Sequence, residues 1–163
     1  MRKLLAMLTV MVMLIISVNI TVSAAIKFSD VGDYWATEAI KWAAEKGIVE
    51  GYPDGTFKPE KHVTEAEFVA ILARYVQNTD KQKIAERQPG KHWAQSIYDE
   101  LEKWALPLKG YTNDKVKDTV ITRGQVARVI AAKNGFNLDE RQAVYYMYEN
   151  DLSNGMIPNR MTF

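Results

Sequence analysis

The chain has 163 residues, with 21 Lys and Arg against 20 Asp and Glu, a formal net charge of +1. So even a balance supplies no basic field for nucleic acid, whose binding depends on one. Cysteine is absent, which excludes disulfides, thiolate metal sites and a lipid-bearing thiol, so apolar packing has to hold the fold.

Met1-Arg2-Lys3 is a short basic start, and Leu4 to Val18 is apolar except for Thr9 and Ser17. Val22-Ser23-Ala24 then places small residues where a signal peptidase reads, so residues 1–24 are expected to be a signal peptide, cut after Ala24 or Ala25. An uncleaved anchor is the alternative, since a span needs about 17–25 apolar residues and Leu4 to Val22 comes close. Thr9, Ser17, Asn19 and Thr21, with the small-residue site, weigh for cleavage, which leaves no membrane segment.

The first unit, residues 28–76, reads as helix, loop, helix. Ile40, Ala43 and Ala44 keep helical spacing, and Gly47 follows as a stop. The loop Gly51-Tyr52-Pro53-Asp54-Gly55 carries a Pro-Asp-Gly turn. Thr64 is a natural N-cap, Glu67 closes a capping box, and Val63 with Phe68 makes a hydrophobic staple. Phe68, Leu72 and Tyr75 continue the apolar spacing. Residues 77–90, polar and ending in Pro89-Gly90, read as a linker.

The second unit, residues 91–133, repeats the device. Trp93-Ala94 answers Trp35-Ala36, Gly110-Tyr111 answers Gly51-Tyr52, and Ile121-Thr122-Arg123-Gly124-Gln125 answers Val63-Thr64-Glu65-Ala66-Glu67. Trp35 lies as far before Thr64 as Trp93 does before Thr122. Thr122 and Gln125 form the second capping box, Ile121 and Val126 the staple, and Val129 and Ile130 an apolar face. A third unit, residues 138–163, starts the pattern at Ala143 to Gly155 but has Asp139 where the Trp would stand. On this register its second helix falls beyond Phe163, so the third repeat is incomplete.

Phe28-Ser29-Asp30-Val31, Trp35-Ala36, Gly51-Tyr52-Pro53-Asp54-Gly55-Thr56-Phe57-Lys58-Pro59 and Val63-Thr64-Glu65-Ala66-Glu67-Phe68 resemble an S-layer homology domain almost position by position. The second unit resembles it through Trp93-Ala94, Gly110-Tyr111 and Ile121-Thr122-Arg123, and the third only weakly. The resemblance implies an all-α fold in which three helix-loop-helix units stand in a pseudo-threefold arrangement around a central bundle. It also implies grooves between units that hold secondary cell-wall polysaccharide, often pyruvylated, on the surface of a Gram-positive or related bacterium. The family's Thr-Arg motif supplies an Arg for the pyruvyl carboxylate, and its Trp and Gly-Tyr positions help to build the pocket.

Residue chemistry gives a candidate ligand set on that basis: Asp30, Trp35, Gly51, Tyr52, Trp93, Gly110, Tyr111, Thr122 and Arg123. Arg123 at the first position of a helix capped by Thr122 combines free N–H groups with a guanidinium that can grip a carboxylate by two parallel bonds. A cation there is mildly unfavourable to the helix itself, which favours a ligand role. Glu65 stands at the matching place in the first unit, where it suits the helix dipole and would repel an anionic sugar, so the Arg123 groove is expected to be the main site. Trp35 and Trp93 read first as core plugs, with an edge available for stacking on sugar. Tyr52 and Tyr111 serve equally as sugar-binding hydroxyls or loop clasps. Asp30 either meets ligand or caps the neighbourhood of Thr37.

No phosphate loop, zinc-protease helix or nucleophile elbow appears, and His62 and His92 lie in separate loops without metal-spaced partners. No enzyme activity, metal or cofactor is expected. The expected partners are the wall polysaccharide and either another surface protein or a second copy that completes the third repeat. The alternative is a degenerate domain of the same fold that mediates structural or protein contacts without binding polysaccharide.

Overall fold

The computed structural model describes residues 28–76 and 81–153. The expected signal peptide and the last part of the third unit lie outside the described residues. Among the described residues there are seven α-helices and no strand. They are α1 Thr37–Glu45, α2 Glu65–Tyr75, α3 Lys81–Ala85, α4 Gln95–Leu101, α5 Asp114–Lys117, α6 Arg123–Lys133 and α7 Glu140–Glu149. None of them is long and apolar enough to cross a membrane.

The long helices start as their sequences require. Thr64 Oγ1 accepts the amide of Glu67 and the Glu67 side chain accepts the amide of Thr64; Thr122 and Gln125 do the same for α6. Asp139 and Gln142 form a third box at the head of α7, in place of a Trp. Each box satisfies two amides that have no partner within the helix. Helix α1 ends where Gly47 takes a φ of 67°, a left-handed turn that glycine adopts without cost.

The two Thr-capped segments meet. Ile121 N–H donates to Val63 O at 3.0 Å, and Glu65 N–H donates to Thr119 O at 3.0 Å. Thr64 and Val120 thereby form an isolated antiparallel bridge. Each segment supplies backbone partners that the other would otherwise lack.

The main core lies between α2 and α4, with Ala66, Val69, Ala70 and Ala73 against Ile97, Tyr98 and Leu101, closed by Leu106, Leu108 and Val129. The α2 face that buries is this Ala and Val stripe. Phe68 and Leu72 are half-buried and Tyr75 is 63% exposed, so the face expected from the larger residues is rotated. Small side chains let α2 and α4 approach closely, and their burial removes apolar area from water. A second cluster joins α6 to α7 through Ala127, Ala131 and Ala143.

Residues 77–90, expected to be linker, include helix α3, whose Ile84 packs on the main core. Gln88 Nε2 donates to Asp99 Oδ2 at 2.8 Å, which fastens the end of this stretch to α4.

Candidate functional site

The nine candidate residues separate into five places. Asp30 and Gly51 shape the first loop. The Asp30 carboxylate accepts the amides of Phe57 at 2.8 Å and Lys58 at 2.7 Å. These bonds, Phe57 first, hold its pKa below the ordinary 3.8. They also secure Lys58 at a φ of 58°, a conformation unusual for a residue with a side chain. Thr37 is served otherwise, its hydroxyl donating to Val31 O at 2.8 Å and Tyr34 O at 2.6 Å. Capping near Thr37 is therefore not the work of Asp30. Gly51 admits no side chain, because a Cβ there would overlap the Phe28 ring and lie 2.8 Å from Thr56 O.

Gly110 and Tyr111 sit at the core, together with a residue the sequence placed elsewhere. Glu65 is only 3% exposed. Its carboxylate accepts Gly110 N–H at 2.7 Å, Lys109 N–H at 3.2 Å and the Tyr98 hydroxyl at 2.8 Å. The expectation that Glu65 faces a groove and repels an anion is corrected: the carboxylate points inward and joins the first unit to the second. Charge-assisted bonds of this kind offset the cost of burying a charge. Burial raises the Tyr98 pKa, and the bond to Glu65 adds to the rise.

Tyr111 packs edge-on against Tyr98 at 5.5 Å, and its hydroxyl is buried without a hydrogen-bond partner among the described residues. Burial pushes its pKa up to about 12. The ammonium of Lys117 lies 4.7 Å from the Tyr98 ring centre and 2.6 Å from Asp114 Oδ1 and Gln95 Oε1. Lys117 is 1% exposed. The sequence carried no sign of it, because a lone Lys in a polar loop reads as solvated.

Tyr52 and Trp93 come together on one groove of about 210 Å³, which Lys58, His62, Glu67 and Arg74 also line. Tyr52 brings the loop of the first unit and Trp93 the start of the second. The Tyr52 hydroxyl accepts from Lys61 Nζ at 2.9 Å, and Lys58 Nζ stands 4.2 Å from the centre of its ring. Trp93 is 38% exposed rather than a core plug, while its neighbours Ala94, Ile97 and Tyr98 are the buried residues of this stretch. Trp35 departs further from the core reading, at 88% exposed.

Thr122 is spent on its capping box. Arg123 opens on a separate groove of about 440 Å³ between α2, α6 and α7. Its Nη2 reaches Ser153 Oγ at 3.5 Å. The floor is apolar, formed by Phe68, Ile71, Val126, Val144 and Met147, and Lys61, His62 and Arg123 stand on the rim. Both grooves share the wall Lys61-His62-Val63. The structure thus brings Tyr52 and Trp93 together and leaves Arg123, Trp35 and the Gly110-Tyr111 pair elsewhere.

Residues 27–69 match the family model of the S-layer homology domain. Similar proteins include cell surface glycoprotein 1 of Acetivibrio thermocellus, 32% identical over 107 residues, 58% of this chain and 5% of that protein. The cellulosome-anchoring protein of the same organism is 35% identical over 114 residues, 65% of this chain and 24% of the relative. Outer membrane protein SlpA of Thermus thermophilus is 31% identical over 112 residues, 64% of this chain and 12% of that protein. Enzymes also match over shorter stretches. The chain spans a quarter or less of the length of these three relatives. No solved structure matches it.

Proposed function

The chain is an S-layer homology domain protein, and from that premise we propose a non-catalytic anchoring module that holds pyruvylated secondary cell-wall polysaccharide in the Tyr52–Trp93 groove. The observation that carries this reading is the convergence of two aromatic residues from successive units with Lys58, His62 and Arg74. An exposed indole offers a face to a sugar ring, and cations beside it suit a ketal carboxylate. Lys58 and Arg74 hold surface ion pairs, with Asp54 at 3.3 Å and Glu50 at 3.2 Å, and Lys58 also stands over the Tyr52 ring. Such pairs contribute about 0–1 kcal/mol, so a ligand carboxylate displaces them at little cost.

The names of the relatives, a cell surface glycoprotein, an anchoring protein and an outer membrane protein, support a place at the cell surface or S-layer after export. The matched capping boxes at Thr64 and Thr122, joined through the Thr64–Val120 bridge, support reading 28–76 and 91–133 as repeats. Helix α7, with its own capping box at Asp139, then reads as the start of a third repeat in a pseudo-threefold arrangement.

Co-sedimentation with purified cell walls tests the reading. The protein is expected to pellet with intact walls and to stay in solution once the secondary polymer is stripped. Trp93→Ala should weaken binding about three- to tenfold, the loss of one aromatic contact. Retention on stripped walls would refute the polysaccharide target. Loss of binding in Arg123→Ala with Trp93→Ala unaffected would move the sugar to the Arg123 groove, as the sequence motif suggests.

A further inference from the structure

We propose, resting on the anchoring reading above, that Lys61 determines what the Tyr52–Trp93 groove accepts. By its bond to Tyr52 it leaves that hydroxyl only a proton to give, and so commits this end of the groove to a ligand carboxylate.

An ammonium donates three hydrogen bonds and accepts none. Lys61 Nζ gives one to Glu67 Oε1 at 2.6 Å and one to the Tyr52 hydroxyl oxygen at 2.9 Å. It has no third hydrogen-bond partner among the described residues, and its side chain is 47% exposed on the groove wall. One N–H therefore remains to be given. The bonds to Glu67 first and Tyr52 second hold the Lys61 pKa above the ordinary 10.5, so the group stays an ammonium at neutral pH.

The Tyr52 oxygen accepts from that ammonium, so its own proton is left to donate, and no acceptor for it stands among the described residues. Lys58 Nζ lies 4.2 Å and Lys61 Nζ 5.4 Å from the centre of the same ring, contacts that fix its place. Glu67 is engaged at both oxygens: Oε1 accepts Lys61, and Oε2 accepts the amide N–H and the hydroxyl of Thr64 in the capping box. This end of the groove thus offers two donors, 2.9 Å apart, beside a carboxylate already taken. A ligand carboxylate accepts from both and gains a charge-assisted bond from Lys61. A sugar hydroxyl there brings no charge to the ammonium and finds both Glu67 oxygens occupied when it donates. Lys58 and Arg74 line the same groove but pair with Asp54 and Glu50. Among the described residues only Lys61 bonds the Tyr52 hydroxyl.

Binding to immobilised secondary wall polysaccharide, intact and depyruvylated by mild acid, tests the assignment. Lys61→Met keeps the aliphatic stem and removes the donors. It should weaken binding of the intact polymer about tenfold or more, and its loss on the depyruvylated polymer should be about fivefold smaller or less. Tyr52→Phe keeps the ring and should cost about three- to tenfold, again mostly on the intact polymer. Combined in one chain, the two losses should fall short of their product, because the residues act as a unit. Lys61→Arg still donates and should hold most of the preference for the intact polymer. Lys61 is exposed and Tyr52 half-buried, and circular dichroism melts close to wild type confirm that each variant folds. Trp93→Ala, run alongside, reports on the groove itself. Equal losses on both polymers in Lys61→Met overturn the assignment. So does a Lys61→Met protein that keeps its preference while Trp93→Ala is weakened, which leaves the groove standing. Wild type that binds both polymers equally overturns the carboxylate and the assignment together. Wild type that binds neither, or that Trp93→Ala does not weaken, overturns the anchoring reading and the assignment with it.

Discussion

Removing the Glu65 carboxylate leaves the Lys109 and Gly110 amides and the Tyr98 hydroxyl without their acceptor. Glu65→Ala is therefore expected to cost about 2–3 kcal/mol, the penalty for stranding buried donors, in urea unfolding. A cost within error would show that water reaches this carboxylate. Glu65→Arg, which the motif alone would suggest as a gain of anion site, should unfold the protein, because the guanidinium would face the same donors in a buried place. Gly110 belongs to the same contact: a Cβ there would stand 2.6 Å from the Tyr98 hydroxyl and 2.7 Å from Glu65 Oε1. Asp30 sets a pH dependence. Its pKa lies below the ordinary 3.8 in the fold, so its stabilisation is present above that value and is lost as pH falls through the lower folded one. Acid unfolding curves should show this loss in wild type, and Asp30→Asn should be less sensitive to pH across the same window. At this scale little was legible in the sequence. Glu65 and Arg123 occupy equivalent motif positions, yet one is buried and the other exposed, because only Glu65 meets the Lys109-Gly110 amides of the unit that follows.

Helix starts were the most legible elements. Thr-x-x-Glu and Thr-x-x-Gln state both capping boxes outright, since the hydrogen bonds are local and need no tertiary partner. Thr122→Ala is expected to lower stability by about 0.5–2 kcal/mol in chemical unfolding, and restoring a cap with Ser or Asp should recover most of it. A loss that Ser and Asp do not recover would mean the hydroxyl has another task. The box at Asp139 is equally local, and Asp-x-x-Gln states it as plainly as the two Thr boxes. Elements that depend on long-range packing were harder to read. Small residues carry the buried face of α2, so periodicity of the large ones pointed to the wrong flank. Helix α3 forms within a polar stretch because Ile84 finds the core, which no window of a few residues displays. Trp35 and Trp93 were misplaced for a related reason: hydrophobic bulk argues for burial only where the fold leaves space beneath it.

For the whole molecule, the organising feature is the junction of the two units along Val63 to Glu65 and Thr119 to Ile121. One side of the junction carries the Tyr52–Trp93 groove and the other the Arg123 groove, with the Lys61-His62-Val63 wall between them. Repetition made the existence of such a junction predictable, while the partition of aromatic and apolar character between its sides emerged only from the fold. The anchoring claim itself turns on the chemistry of the sugar. Calorimetric titration of the protein with purified secondary wall polysaccharide, intact and with its pyruvyl groups removed by mild acid, tests it most directly. The account predicts measurable binding of the intact polymer, weakened about tenfold or more when the carboxylate is gone, as loss of a charge-assisted contact requires. Equal affinity for both polymers, or none for either, would contradict it.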